Sequence, residues 1–164
     1  MAFQSVVCLD ANFEQKRCAS AGGSVKPIPH SHSFFLPLEE VKAMKTLVES
    51  KRKDRNQQSE EEENTILEGL SLPNYVYDEC TSRFVAANES KQKAEAAIFS
   101  DTGLMALTCR HDRVLFLVNL RDPGEKQYNA LALLNRLFSE LPAEWRVGVL
   151  YDIGCQMHKS IIKV

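Results

Sequence analysis

The chain has 164 residues, of which 44% are hydrophobic and 26% charged, with a formal net charge of −2. That mixture is ordinary for a folded domain and supplies no global positive potential, so contact with a nucleic acid would need a local basic patch. No apolar run reaches the length of a membrane span, the N-terminus lacks a basic n-region, and cysteines at 8, 18, 80, 109 and 155 have no framework spacing, which points to a reducing compartment with thiols free or metal-bound.

Residues 3–9 (FQSVVCL) predict a first strand, apolar and β-branched, that runs into Asp10. Residues 16–33 hold Gly, Pro and Ser with little periodicity and read as a loop. A helix follows over 37–53: Pro37 suits its first position and Glu39 and Glu40 its positive end. Leu38, Val41, Met44, Leu47 and Val48 recur there at helical spacing. Lys51, Arg52, Lys53 and Arg55 then form a basic block before the acidic run at 60–63, which suits a solvated helix end or a contact with DNA phosphates. Residues 64–82 look irregular, and Ala, Glu and Lys favour a helix over 85–98.

From residue 101 the pattern sharpens. GLMALTC at 103–109 predicts a second strand, RHD at 110–112 a tight connection, and RVLFLVNL at 113–120 a third strand apolar enough to be buried on both faces. DPGE at 122–125 is a turn, and 126–141 an amphipathic helix with Tyr128, Leu131, Leu134, Leu137, Phe138 and Leu141 on one stripe. RVGVLYD at 146–152 is a fourth strand, again ending on an aspartate. Trp145 and Tyr151 read as core aromatics.

The order is strand, long insertion, strand, strand, helix, strand, an α/β arrangement. It divides into a first strand at 1–13, an insertion at 14–100 and the remaining core at 101–164. The hairpin is antiparallel, and the helical crossover allows the last strand to run parallel to the first. If those two are neighbours, Asp10 and Asp152 share the carboxyl end of the sheet, where open α/β sheets hold their sites. Two such carboxylates repel, and a divalent cation resolves the repulsion. Mg²⁺ is content with one or two carboxylates, waters and substrate phosphates, a set suited to phosphodiester cleavage. Strand-end aspartates also cap turns, so spacing alone leaves both readings open.

LDANFEQKR at 9–17, FFLPLEEVKAM at 34–44, FVAANESK at 84–91, DTGLMALTCRHD at 101–112, GEKQYNALALLNRLF at 124–138 and GVLYDIGCQMHKS at 148–160 occur in a characteristic order. The series resembles the Kyakuja–Dileera–Zisupton (KDZ) transposases, specifically the fungal members associated with cysteine clusters, over nearly the whole chain. The resemblance implies an RNase H-like fold with a long helical or irregular insertion. It also implies a DDE-type site with Mg²⁺ or Mn²⁺ on Asp10 and Asp152, DNA as partner, and a nuclear setting. The third acid of such a site is expected on a helix beyond the fourth strand, yet the sequence ends at Val164. That predicts a core truncated after its fourth strand and inactive by itself. Glu125 is a poor substitute by position, since it starts the helix between strands three and four. Asp101 is either an accessory ligand or a plain turn aspartate.

Cys80, Cys109, His111 and Cys155 fall inside the matched motifs and are candidate Zn²⁺ ligands, although no CxxC pair is present and buried apolar cysteines are the alternative. Cys8 reads as core and Cys18 as a loop thiol. His30 and His32 read as solvated, and a Cys155–His158 nucleophile pair lacks a third orienting group. Lys16 and Arg17 follow Asp10 closely enough to hold a DNA phosphate, or form an exposed loop pair. Against the transposase reading stand a non-catalytic DNA- or protein-binding module and a decayed product without function.

Overall fold

The computed structural model describes residues 3–22, 33–55, 98–154 and 157. The elements in chain order are β1 (Ser5–Asn12), β2 (Arg17–Cys18), a 3-10 turn (Ala19–Gly22), α1 (Leu38–Arg55), β3 (Phe99–Asp101), β4 (Gly103–Cys109), β5 (Val114–Leu120), α2 (Gln127–Glu140) and β6 (Val147–Tyr151). β5, β4, β1 and β6 form one sheet in that order, and β2 and β3 a separate ribbon. The expected helix over 85–98 lies outside the described residues, apart from Ile98.

β1 is a central strand. It pairs antiparallel with β4, Leu9 facing Leu107 and Asp10 facing Ala106, and parallel with β6, Ser5 facing Val147 and Leu9 facing Tyr151. Its alternation sorts the side chains. Val7 and Leu9 are buried toward the helices, while Asp10 falls on the other face and is exposed. The first strand thus runs through Asp10 to Asn12, past the expected boundary. The edge-ward hairpin β4–β5 turns at Arg110–Arg113, where Asp112 takes a left-handed backbone (φ 59) that aspartate tolerates.

β5 departs from expectation. Val118 and Leu120 are buried, but Leu115, Phe116 and Leu117 are half-buried and Val114 is exposed. The cause is position: among the described residues β5 ends the sheet, and beyond it only Phe34–Leu36 run alongside, through Leu36 N–H to the Leu117 carbonyl (2.9 Å) and Leu117 N–H to the Phe34 carbonyl (2.7 Å). The 16–33 loop also contains more order than its composition implied, because β2 pairs with β3, Arg17 facing Asp101.

α1 and α2 pack on each other, and α2 packs on the β4–β5 side of the sheet. The buried face of α2 is Ala130, Leu133, Leu134 and Leu137, with Asn129 and Ala132 beside it, and Phe138 turns outward. Of the predicted stripe, Leu134 and Leu137 are core, Tyr128, Leu131 and Leu141 pack against it, and Phe138 alone falls outside; the buried face extends instead to Ala130 and Leu133. Trp145 is likewise no core aromatic: at 41% exposed it sits in the turn before β6. Cross-ties join the helices. Arg136 bridges Glu40 (2.8 Å) and Glu140 (2.7 Å), and Lys45 bonds Asp122 (2.5 Å), which also accepts from the Tyr128 hydroxyl (2.6 Å). Burial pushes the Asp122 carboxyl up, and the bonds from Lys45 and Tyr128 outweigh it, leaving Asp122 below the usual aspartate value.

Gly103 opens β4 against the end of β1. A Cβ there would stand 2.7 Å from the Asn12 carbonyl oxygen and 3.1 Å from Phe13 Cα, both backbone atoms. Gly103→Ala is expected to destabilise the fold by about 1–3 kcal/mol, the usual cost of overpacking, as read from urea unfolding midpoints.

Candidate functional site

The register Leu9–Tyr151, carried one step further along both segments, brings Asp10 beside Asp152. Asp10 is the last residue but two of β1, and Asp152 is the first residue after β6. Each carboxylate is fixed in the same way. Asp10 Oδ1 accepts the Ala11 N–H at 2.8 Å, and Asp152 Oδ1 accepts the Ile153 N–H at 2.8 Å. Both side chains are exposed. After Asp152 the chain turns inward, with Ile153 and Met157 buried and Met157 N–H on the Ile153 carbonyl, so the exposed aspartate is anchored by an apolar residue directly behind it.

A third carboxylate belongs to the same field. Glu125 Oε1 accepts the Tyr151 hydroxyl at 2.6 Å, which ties the start of α2 to the end of β6. Burial first, and then the negative charges of Asp152 and Asp10, push the Glu125 carboxyl above its ordinary value, against the pull of the Tyr151 bond. The Tyr151 phenol is pushed up too, by burial, by Glu125 and by both aspartates. Position in the sequence discounts Glu125, whereas the fold places it within the electrostatic reach of Asp10 and Asp152. β5 runs parallel to β1, so the connection from β5 into α2 emerges at the end of the sheet that carries Asp10. The readable signal was Gly124 (φ 78), whose turn starts the crossover at that end.

The donors are all carboxylate oxygens, which suits a hard divalent cation and not a soft one. Among the described residues no group of three His, Cys, Asp or Glu side chains is arranged to hold a metal ion. Asp10 and Asp152 are the side chains that could hold such an ion, in the manner of Mg²⁺ bound by two carboxylates with water and phosphate oxygens.

The other sequence candidates fall elsewhere. Asp101 is 5% exposed and ion-pairs with Arg121 (3.2 Å), so it is engaged in structure and is not a free turn carboxylate. Cys109 Sγ and His111 Nδ1 lie 3.9 Å apart at the β4–β5 turn, the opposite end of the sheet from Asp10. Two donors do not make a four-coordinate site, and Cys80 and Cys155 lie outside the described residues. His30, His32 and His158 also lie outside them. Cys8 is half-buried on the face away from the helices, and Cys18 sits in β2. Lys16 stands over the Phe99 ring at 5.5 Å, and Arg17 is exposed on β2. Of the basic block, Lys51 is exposed near the end of α1.

The Glu125 environment has a pH signature. Its folded carboxyl holds the proton to higher pH than the unfolded chain does, so stability is lost as pH rises through that interval. Glu125→Gln, which keeps an acceptor for Tyr151, is expected to raise the melting temperature at pH 7 relative to the native chain and to leave it nearly unchanged at pH 3.5. The scale is about 2–4 °C for each kcal/mol recovered, measured by paired thermal melts.

Among the described residues no helix is long and apolar enough to cross a membrane. No curated protein and no solved structure matches the chain. The family model described as Kyakuja-Dileera-Zisupton transposase matches residues 3–164, which takes in both strand-end aspartates, Glu125 and every described element. The chain belongs to the KDZ transposase family.

Proposed function

We propose that this chain forms part of a DDE-type transposase catalytic core, the type that cleaves and joins DNA strands with Mg²⁺ or Mn²⁺, on an RNase H-like fold. The observation that carries the reading is the parallel pairing of β1 with β6, which sets Asp10 and Asp152 at one end of adjacent strands. The order of elements supports the fold assignment: a strand, an insertion, an antiparallel hairpin, a helical crossover and a strand returning parallel beside the first. Membership of a transposase family supports DNA as the substrate, and with it a nuclear site of action.

In this reading Asp10 and Asp152 would hold the cation, and a divalent ion there would supply charge stabilisation at a phosphoryl oxygen and a lowered pKa for an attacking water or hydroxyl. The protein's part is orientation. The Ala11 and Ile153 amides fix the two carboxylates before any ion arrives, so little reorganisation is needed on binding. Glu125 is the candidate third acid. Tyr151 holds its Oε1, and its raised proton affinity suits a group that keeps or takes up a proton beside a departing oxygen. A cation between the aspartates would also relieve the repulsion that all three carboxylates share.

The remaining sequence candidates stand as proposals of lower rank. Zinc on Cys109 and His111 would need further donors from Cys80 or Cys155, and Lys16 and Arg17 would guide a phosphate from the β2 side.

Mn²⁺ added at ten times its dissociation constant is expected to stabilise the native chain by roughly 1.4 kcal/mol. Asp10→Asn and Asp152→Asn are each expected to weaken Mn²⁺ binding at least tenfold by calorimetric titration. Both should also abolish any Mn²⁺-dependent nicking of supercoiled plasmid. Equal Mn²⁺ affinity in the native chain and both variants would overturn the reading.

A further inference from the structure

A cavity of about 330 Å³ opens between the Phe34–Leu36 segment, α1 and the beginning of α2. It lies at the carboxyl end of β5, where Arg121 and Asp122 follow the strand. Since β5 is parallel to β1 and separated from it by β4 alone, the cavity shares the sheet end with Asp10 and stands two strand spacings, about 10 Å, from β1.

Its walls have two characters. On one side are Lys42, Lys45 and Arg121. The only carboxylate among the cavity-lining residues, Asp122, is already engaged by Lys45 and by the Tyr128 hydroxyl. Arg121 pairs with Asp101 through Nε, yet its side chain remains half-exposed, which leaves the terminal guanidinium nitrogens available to an anion. Lys42 is exposed on α1. Among the residues that line the cavity three cations stand with one carboxylate, and Glu49 of α1 acts on Lys45 and Tyr128 from nearby.

On the other side is an aromatic platform. Phe35 is 44% exposed, and its backbone is held in register by the bridge to Leu117. A phenylalanine exposed on a fixed backbone next to cations offers a stacking face for a nucleobase. Deeper in, Asn129 is 1% exposed and its Nδ2 has no partner of hydrogen-bonding geometry among the described residues, although it stands near the Tyr128 oxygen.

We propose that this cavity is a nucleotide subsite, with one unpaired base stacked on Phe35 and its phosphate against Lys42 and Arg121. The choice of DNA as the source of that nucleotide rests on the transposase reading above. A base paired within a duplex is stacked on both faces and has none free for Phe35, so the subsite selects a frayed or single-stranded position. It would hold the strand to one side of the acidic pair, along the same sheet end.

The test is fluorescence anisotropy with the full chain in EDTA, so that the outcome does not depend on metal at Asp10 and Asp152. The probes are a ten-thymidine strand and an abasic decamer of the same charge. The thymidine strand is expected to bind about tenfold more tightly. That difference should vanish in Phe35→Ala and survive in Phe35→Trp, with melting temperatures confirming that each variant folds. Lys42→Ala, at an exposed helix position, is expected to weaken both probes and reduce the salt slope by about one. Equal binding of the two decamers by the native chain, or no binding of either, would overturn the subsite. So would a base-dependent difference that persists in Phe35→Ala. Base-dependent binding together with unchanged Mn²⁺ affinity in Asp10→Asn would keep the subsite and sink the metal centre instead.

Discussion

Parallel hydrogen bonding between β1 and β6 is the constraint on which the arrangement depends. Five residue pairs, from Ser5–Val147 to Leu9–Tyr151, bring together positions more than 140 apart in the chain and hold them in one register. A slip of one residue would turn Val7 and Leu9 out of the core and Asp10 into it. Burial of Val7 and Leu9 under the helices therefore fixes the face on which Asp10 emerges. The acidic site inherits its geometry from the hydrophobic core, and the site residues themselves contribute little to that choice.

The helical crossover does a second task. α2 must return the chain from β5 to β6, and to do so it starts at the carboxyl end of the sheet. That requirement brings Glu125 under Tyr151 and next to the two aspartates. It also brings Asp122 and Tyr128 within reach of Lys45 on α1. One connection thus supplies a carboxylate to the acidic cluster and a wall to the cation-lined cavity. The two regions differ because the charge of Asp122 is offset by Lys45, whereas Asp10 and Asp152 both act on Glu125 with no cation paired to it among the described residues. Substrate phosphates and a divalent cation would find complementary potentials side by side along a single sheet end.

Particular residues mark where sequence reading worked. Strands 103–109 and 147–151 and the helix beginning near Pro37 stand where periodicity put them, since each has a clean alternation or a clear helical repeat. The stripe on α2 holds at Tyr128, Leu131, Leu134, Leu137 and Leu141, which lie in or against the core, and fails only at Phe138, one position from Leu137 yet on another face. β5 was read as doubly buried because VLFLVNL is apolar throughout. Composition does not reveal that a strand ends a sheet. The short β2–β3 ribbon and the Phe35–Leu117 bridge join residues some 80 apart, beyond the reach of any local pattern.

The sequence by itself determined that this is an α/β chain with aspartates closing its first and last core strands, and its motif order identified the family. It did so because strand alternation and turn residues are local properties. Only the tertiary structure decided that Glu125 joins Asp10 and Asp152, that Asp101 is spent on Arg121, and that Lys42, Arg121 and Phe35 face one cavity. Those are facts of strand order and helix docking, and they are set by which apolar faces exclude water together, a choice no stretch of neighbouring residues encodes.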